Sequence, residues 1–103
     1  MEIKTLLNGV VATGAGSALR LDEFRCKDGP IPFVVSGIST ATVVIQGAIA
    51  TDDEVTAGTA AWETITDKSF TADCCNEITA AYTHIRANVT VYTGGTIYVK
   101  ALV

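Results

Sequence analysis

The chain has little histidine, and that absence excludes much. His84 is the only one in 103 residues, so neither a cage of several histidines nor a histidine pair for acid–base work can be built within one copy. Cysteine is sparse too: Cys26 stands alone and Cys74 and Cys75 are adjacent. An odd count with a vicinal pair is a poor disulfide framework, because neighbours in sequence bridge only with strained geometry. The pair also lacks the C-x-x-C spacing of a zinc or redox site, and reduced thiols without a chemical role are the expectation. No run approaches the ~18 uninterrupted apolar residues of a membrane span. The opening residues, Met1-Glu2-Ile3-Lys4-Thr5-Leu6-Leu7, have neither the long apolar core nor the small-residue cleavage site of a secretory signal. We therefore expect a protein made in a cytoplasm and kept there or freed by lysis. Without such a signal the triplet Asn88-Val89-Thr90 carries no weight as a glycosylation acceptor.

Charge is scarce and uneven. Charged residues make up 17% of the chain, for a net charge of −4. Residues 1–51 are balanced, with Glu2, Asp22, Glu23 and Asp28 against Lys4, Arg20, Arg25 and Lys27. Residues 52–77 hold seven acids against Lys68 alone, and residues 78–103 hold only Arg86 and Lys100. An acidic middle third argues against nucleic acid as a partner, since displacing counterions from phosphates needs dense Lys and Arg. It fits a solvated acidic face, and also docking on a basic protein surface.

What the chain has in abundance is apolar and β-branched residues. Hydrophobic residues reach 49%, and the mean hydropathy is +0.37. Thr, Val and Ile favour pleated, half-buried surfaces. Such a composition fits a permanently assembled subunit, and equally a small hydrophobic sandwich.

The last twenty residues carry the clearest pattern. Ile85, Ala87, Val89 and Val91 alternate with His84, Arg86, Asn88, Thr90 and Tyr92. After Thr93-Gly94-Gly95-Thr96 the alternation resumes with Ile97, Val99, Ala101 and Val103. Two alternating runs around Gly-Gly predict a β-hairpin turned at Gly94-Gly95. Upstream, Ile3–Val11 is short and apolar, Ala12–Ser17 is a flexible link, and residues 17–25 alternate around Leu19 and Leu21. Asp28-Gly29-Pro30-Ile31-Pro32 is turn chemistry. Phe33–Gly37 and Thr42–Ala50 read as two strands, with Gly47 marking a bulge or a close backbone approach. Residues 51–60 read as a polar loop, Ala61–Thr66 as a strand bearing Trp62, and residues 72–81 as the only weak candidate for a short helix. About seven or eight short strands with frequent turn signals predict an all-β, single-domain antiparallel β-sandwich or barrel spanning residues 1–103, with a possible extended N-terminal arm over residues 1–16.

No catalytic residue, cofactor site or metal site emerges. His84 sits on the polar side of a predicted strand and reads as exposed. Asp52-Asp53-Glu54 lacks the alternating ligands and turn glycine of a calcium loop. Gly14-x-Gly16 lacks the last glycine of a dinucleotide fingerprint, and no serine stands in a nucleophile motif. Tyr92 and Tyr98 flank the glycines; cross-strand pairing is the plain reading of them, and stacking on a sugar or anchoring a partner the functional one.

Three pieces together carry a resemblance. Thr42-Val43-Val44-Ile45-Gln46-Gly47 is followed by Trp62-Glu63-Thr64-Ile65, then by Thr83-His84-Ile85-Arg86-Ala87-Asn88-Val89 leading into Tyr92-Thr93-Gly94-Gly95-Thr96-Ile97. Over residues 41–103 this order resembles the small structural proteins of tailed bacteriophage virions; the first forty residues show no counterpart. The resemblance implies a compact β-sandwich or jelly roll without catalytic residues, assembled in many copies. Among virion roles a capsid decoration (cement) protein fits the size and the short apolar N-terminus best, with a head–tail or tail accessory protein as the alternative. Outside that family, the alternative is a glycan-binding β-sandwich module. The expected partners are the major capsid protein and further copies of the chain as a homotrimer or homodimer, on the capsid surface, with no nucleic acid and no membrane. The expected contact residues are Ile3, Leu6 and Leu7 of the arm, and His84, Arg86, Tyr92 and Tyr98 of the sheet.

Overall fold

A computed structural model describes residues 3–21, 30–79 and 82–102. The elements are β1 (Ile3–Val10), β2 (Gly14–Ala15), β3 (Leu19–Arg20), β4 (Ile31–Ala48), α1 (Asp52–Ala57), β5 (Glu63–Phe70), β6 (Cys74–Ile78) and β7 (His84–Leu102). Two strands dominate: β4 has 18 residues and β7 has 19. At about 3.3 Å per residue either would run roughly 60 Å if straight. The longest dimension of the molecule is 36 Å, so both must bend.

They bend together, because they pair antiparallel along their whole length and their register breaks four times between Ser36 and Val43. Gly37 and Gly95 stand at this place with φ of +81° and +117°. A Cβ on Gly37 would lie 1.8 Å from the Thr96 carbonyl oxygen, and one on Gly95 would lie 2.4 Å from the Gly37 carbonyl oxygen. Only a residue without a side chain lets the two backbones pass so closely.

The bend divides each long strand between two layers. In the first layer the order is β1, residues 97–102 of β7, residues 31–36 of β4, then β6. In the second it is β2 with β3, residues 84–92 of β7, residues 41–48 of β4, then β5. Counted as eight segments along the chain, the first pairs with the eighth, the second with the seventh, the third with the sixth and the fourth with the fifth. This is the strand order of a jelly roll. The all-β, antiparallel sandwich expected from the sequence is therefore found, in one continuous sheet folded over itself. Among the described residues no helix is long and apolar enough to cross a membrane.

Several local expectations need correction. Gly94-Gly95 does not turn a hairpin: the chain runs on through it as one strand, and the two alternating runs both pair with β4 instead of with each other. The glycines serve the bend, which in sequence looks the same as a turn. Likewise the two strands expected over residues 33–50 are one bent strand. The N-terminal stretch does not project as an arm, since β1 pairs with β7 from Ile3↔Leu102 to Val10↔Ile97. Residues 51–60 contain α1, and the candidate helix over 72–81 holds β6 in its described part.

The core lies between the layers. Ile31, Phe33 and Val35 face it from one end of β4, Val43 and Ile45 from the other, opposite Ile85, Ala87, Val89, Ile97 and Val99 of β7. Each such side chain is worth about 1.5–3 kcal/mol when fully buried. The rings of Phe33 in the first layer and Phe70 in the second meet edge to face at 5.7 Å, which ties the layers together across the bend. At Gly47 a Cβ would lie 2.5 Å from the Tyr82 ring, the close approach that the glycine suggested.

Candidate functional site

Val44, Ala48 and His84 are buried yet lie outside the core between the layers. They belong to the outer face of the second layer, where the connection over residues 49–62 reaches His84 through Asp52 and Arg86 through Trp62. That connection holds its shape through α1. Thr51 caps the helix, accepting from the Glu54 amide while the Glu54 carboxylate accepts from the Thr51 amide, and Gly58 closes it with φ of 77°. Three acids in the first turn, Asp52, Asp53 and Glu54, meet the positive end of the helix dipole.

Asp52 is the tie between this cover and the sheet. Its Oδ1 is 2.8 Å from His84 Nε2, and its Oδ2 accepts from Arg20 Nη1 at 2.5 Å. The hydrogen bond to His84, ahead of the Arg20 charge, holds the Asp52 carboxyl below its ordinary value; partial desolvation works the other way. On the other side of the ring, His84 Nδ1 is 3.0 Å from Thr83 Oγ1. The Thr83 hydroxyl also accepts from the Ala50 amide at 2.8 Å and faces the Ala48 and Ala50 carbonyls, each at 3.0 Å. Two residues along the same face, the Arg86 guanidinium lies 4.3 Å from the centre of the Trp62 ring, and its Nε donates to Gln46 Oε1 at 2.8 Å. Burial lowers the proton affinity of Arg86. A hollow of about 940 Å³ opens beside these groups, between Arg20, Ala50, Asp53 and Thr83.

Hydroxyl, imidazole and carboxylate in a row have the outline of a nucleophile with its base. The Thr83 oxygen, however, is already committed to the backbone of residues 48–50, so the row secures the cover and presents no free nucleophile. Among the described residues no group of three or more His, Cys, Asp or Glu side chains converges on a metal position.

Among the described residues, no connection covers the outer face of the first layer in this way. Ile3, Pro32, Val34, Cys75, Lys100 and Leu102 line a shallow, almost wholly apolar hollow of about 320 Å³. Ile3 is 70% exposed. The neighbouring thiol of Cys74 is pushed up by burial first, then by Cys75 and Asp73.

The residues expected at an interface scatter. Ile3 is on the open face, whereas Leu6 and Leu7 are core residues. His84, expected in solvent, is 4% exposed, because the connection after β4 folds over its side of the sheet. Arg86 is half-buried under Trp62. Tyr92 packs against the core and donates to the Gly95 carbonyl at 2.6 Å. Tyr98 faces outward, 37% exposed, with its ring against Gly9. The two tyrosines therefore share no platform on which a sugar could stack. Cys26 lies outside the described residues.

The pairing of His84 with Asp52 spans 32 positions and has no signature in sequence. The helix that delivers Asp52 does have one, since Thr51-Asp52-Asp53-Glu54 is the capping-box pattern and Gly58 is the matching stop. No protein-family model, curated protein or solved structure matches the chain.

Proposed function

We propose that this chain is a non-enzymatic structural subunit of a tailed bacteriophage particle, a capsid decoration protein that binds the outer shell surface and stabilises it. The observation that carries the reading is the apolar hollow on the outer face of the first layer, where Ile3 is exposed, Val34 and Leu102 are half-buried, and no described residue folds over them as residues 49–62 fold over the other layer. An uncovered apolar sheet face is a reason to associate. The order of residues over 41–103 supports the same reading, and its segments fall on β4, on β5 with the Trp62 that precedes it, and on β7. The partner is the major capsid protein, with further copies of the chain in a homotrimer or homodimer. Weak contacts repeated over a shell add stability through multivalency without any single large interface.

The test is binding to purified shells free of accessory proteins, read by co-sedimentation and electron microscopy, with the double variant Ile3→Asp, Val34→Asp as the comparison. Regular density on the shell, lost in the double variant, is the expected result. A strict monomer that never sediments with shells would sink the reading. Density only at the portal or along the tail would move the assignment to a head–tail or tail accessory protein.

A further inference from the structure

His84 is buried, yet both ring nitrogens meet hydrogen-bonding oxygens. Nε2 faces the Asp52 carboxylate at 2.8 Å, an acceptor only, so Nε2 carries a proton in this arrangement. Nδ1 faces the Thr83 hydroxyl at 3.0 Å. That hydroxyl has one proton to give, and the carbonyls of Ala48 and Ala50 both stand at 3.0 Å from it. With a neutral ring, the hydroxyl must turn its proton to Nδ1 and release the Ala50 carbonyl, while the Ala48 carbonyl still accepts from the Thr83 amide at 3.0 Å. With a proton on each nitrogen, Nδ1 donates to the hydroxyl oxygen and the hydroxyl donates to the Ala50 carbonyl, so both nitrogens, the hydroxyl and both carbonyls have partners.

We propose that His84 is a proton-operated latch: doubly protonated, it holds residues 48–62 down on the outer face of the second layer, and losing one proton loosens them. Every charged group facing the ring in the described structure fits this. Asp52 on α1 pairs with it directly, Arg20 on β3 reaches it only through the other oxygen of Asp52, and Asp53 lines the same hollow. Arg86, next on that face of β7, is turned to Gln46 and Trp62. What the latch controls is the seating of Trp62 on Arg86, since Trp62 lies in the same connection.

The chain contains one histidine and one tryptophan, so both ends of the device can be watched without labels at chosen sites. The ¹⁵N resonances of His84 and the fluorescence of Trp62 are followed on the intact protein between about pH 5 and pH 9, the span in which imidazoles change charge. The expected result is one shared midpoint, with both nitrogens protonated on the acid side and a red shift of Trp62 emission on the alkaline side. In Asp52→Asn the emission change moves to lower pH; in His84→Gln it disappears. A Trp62 signal that stays flat while His84 titrates overturns the proposal. So does a His84 that shows one bare nitrogen throughout the range. The wild-type titration decides the matter even if either variant fails to fold.

Discussion

The two layers share their long strands and their core, but their outer faces are built in opposite ways. Over the second layer the chain folds its own connection, pinned by the Asp52–His84 pair and by Trp62 on Arg86. Over the first none of the described residues folds back in this way, and Ile3 stands 70% exposed beside Val34 and Leu102. Both faces begin as the alternate positions of the same two strands, so alternation alone does not decide which face meets water. The decision lies in the connections. Among the described connections, residues 49–62 are long enough to return over the sheet, whereas residues 71–73, from β5 to β6, are too short to cover anything.

Substitutions can break or sharpen this contrast, in descending order of effect. Gly37→Val attacks the bend that separates the layers. A positive φ and a backbone oxygen at 1.8 Å from the new Cβ leave no room, and a loss above about 4 kcal/mol, or no cooperative urea transition at all, is expected. Phe33→Ala removes the edge-to-face contact between layers and should lose about 3–5 kcal/mol, read as a fall in the urea midpoint. Gly58→Ala, at positive φ like Gly37 but with open space around it, should lose only about 1–2 kcal/mol in the same assay. On the covered face, Thr51→Ala should lose about 1 kcal/mol by removing the cap of α1. On the bare face, Ile3→Lys should change stability by less than about 0.5 kcal/mol. If Ile3→Lys proved as damaging as Thr51→Ala, the two faces would not differ as described.

Acid offers a further probe of the covered face. The carboxyl of Asp52 is lowered in the folded chain, so the folded state binds its proton less readily than the unfolded state does. Its contribution to stability is fully present above the ordinary aspartate value of about 3.9 and is lost as pH falls through the lowered folded value. Asp52→Asn should flatten this part of the acid-unfolding curve, measured as urea midpoints from neutral pH downward. An unchanged curve would show that Asp52 is not held as its distances imply.

The sequence disclosed the class of the fold better than its connections. Alternation around Val43 and Ile45, and around Ile85, Ala87 and Val89, correctly marks strands facing a core, because a two-residue period has one physical cause. Gly94-Gly95 misleads because positive φ serves a hairpin corner and a crossing of bent strands equally well; the partner that distinguishes them, Gly37, is far away in sequence. Leu6 and Leu7 look like an arm only until β7 is known to run beside them. The cluster around His84 is the least legible part. It joins β3, α1 and β7, and no local rule links residues so far apart. The capping box at Thr51, by contrast, was there to be read.

Among the described strands, β1, β2 and β3 pair only with β7, and this sets an order of events. Residues 3–20 meet no described strand partner until residues 84–102 have been made, so neither layer can be completed before then. Loop closure over nearly the full length must precede the contacts that reward it. During synthesis β4 can gather β5 and β6, but the apolar residues at the start of the chain wait unpaired, and a nascent chain of this protein is exposed to aggregation for as long as β7 is missing.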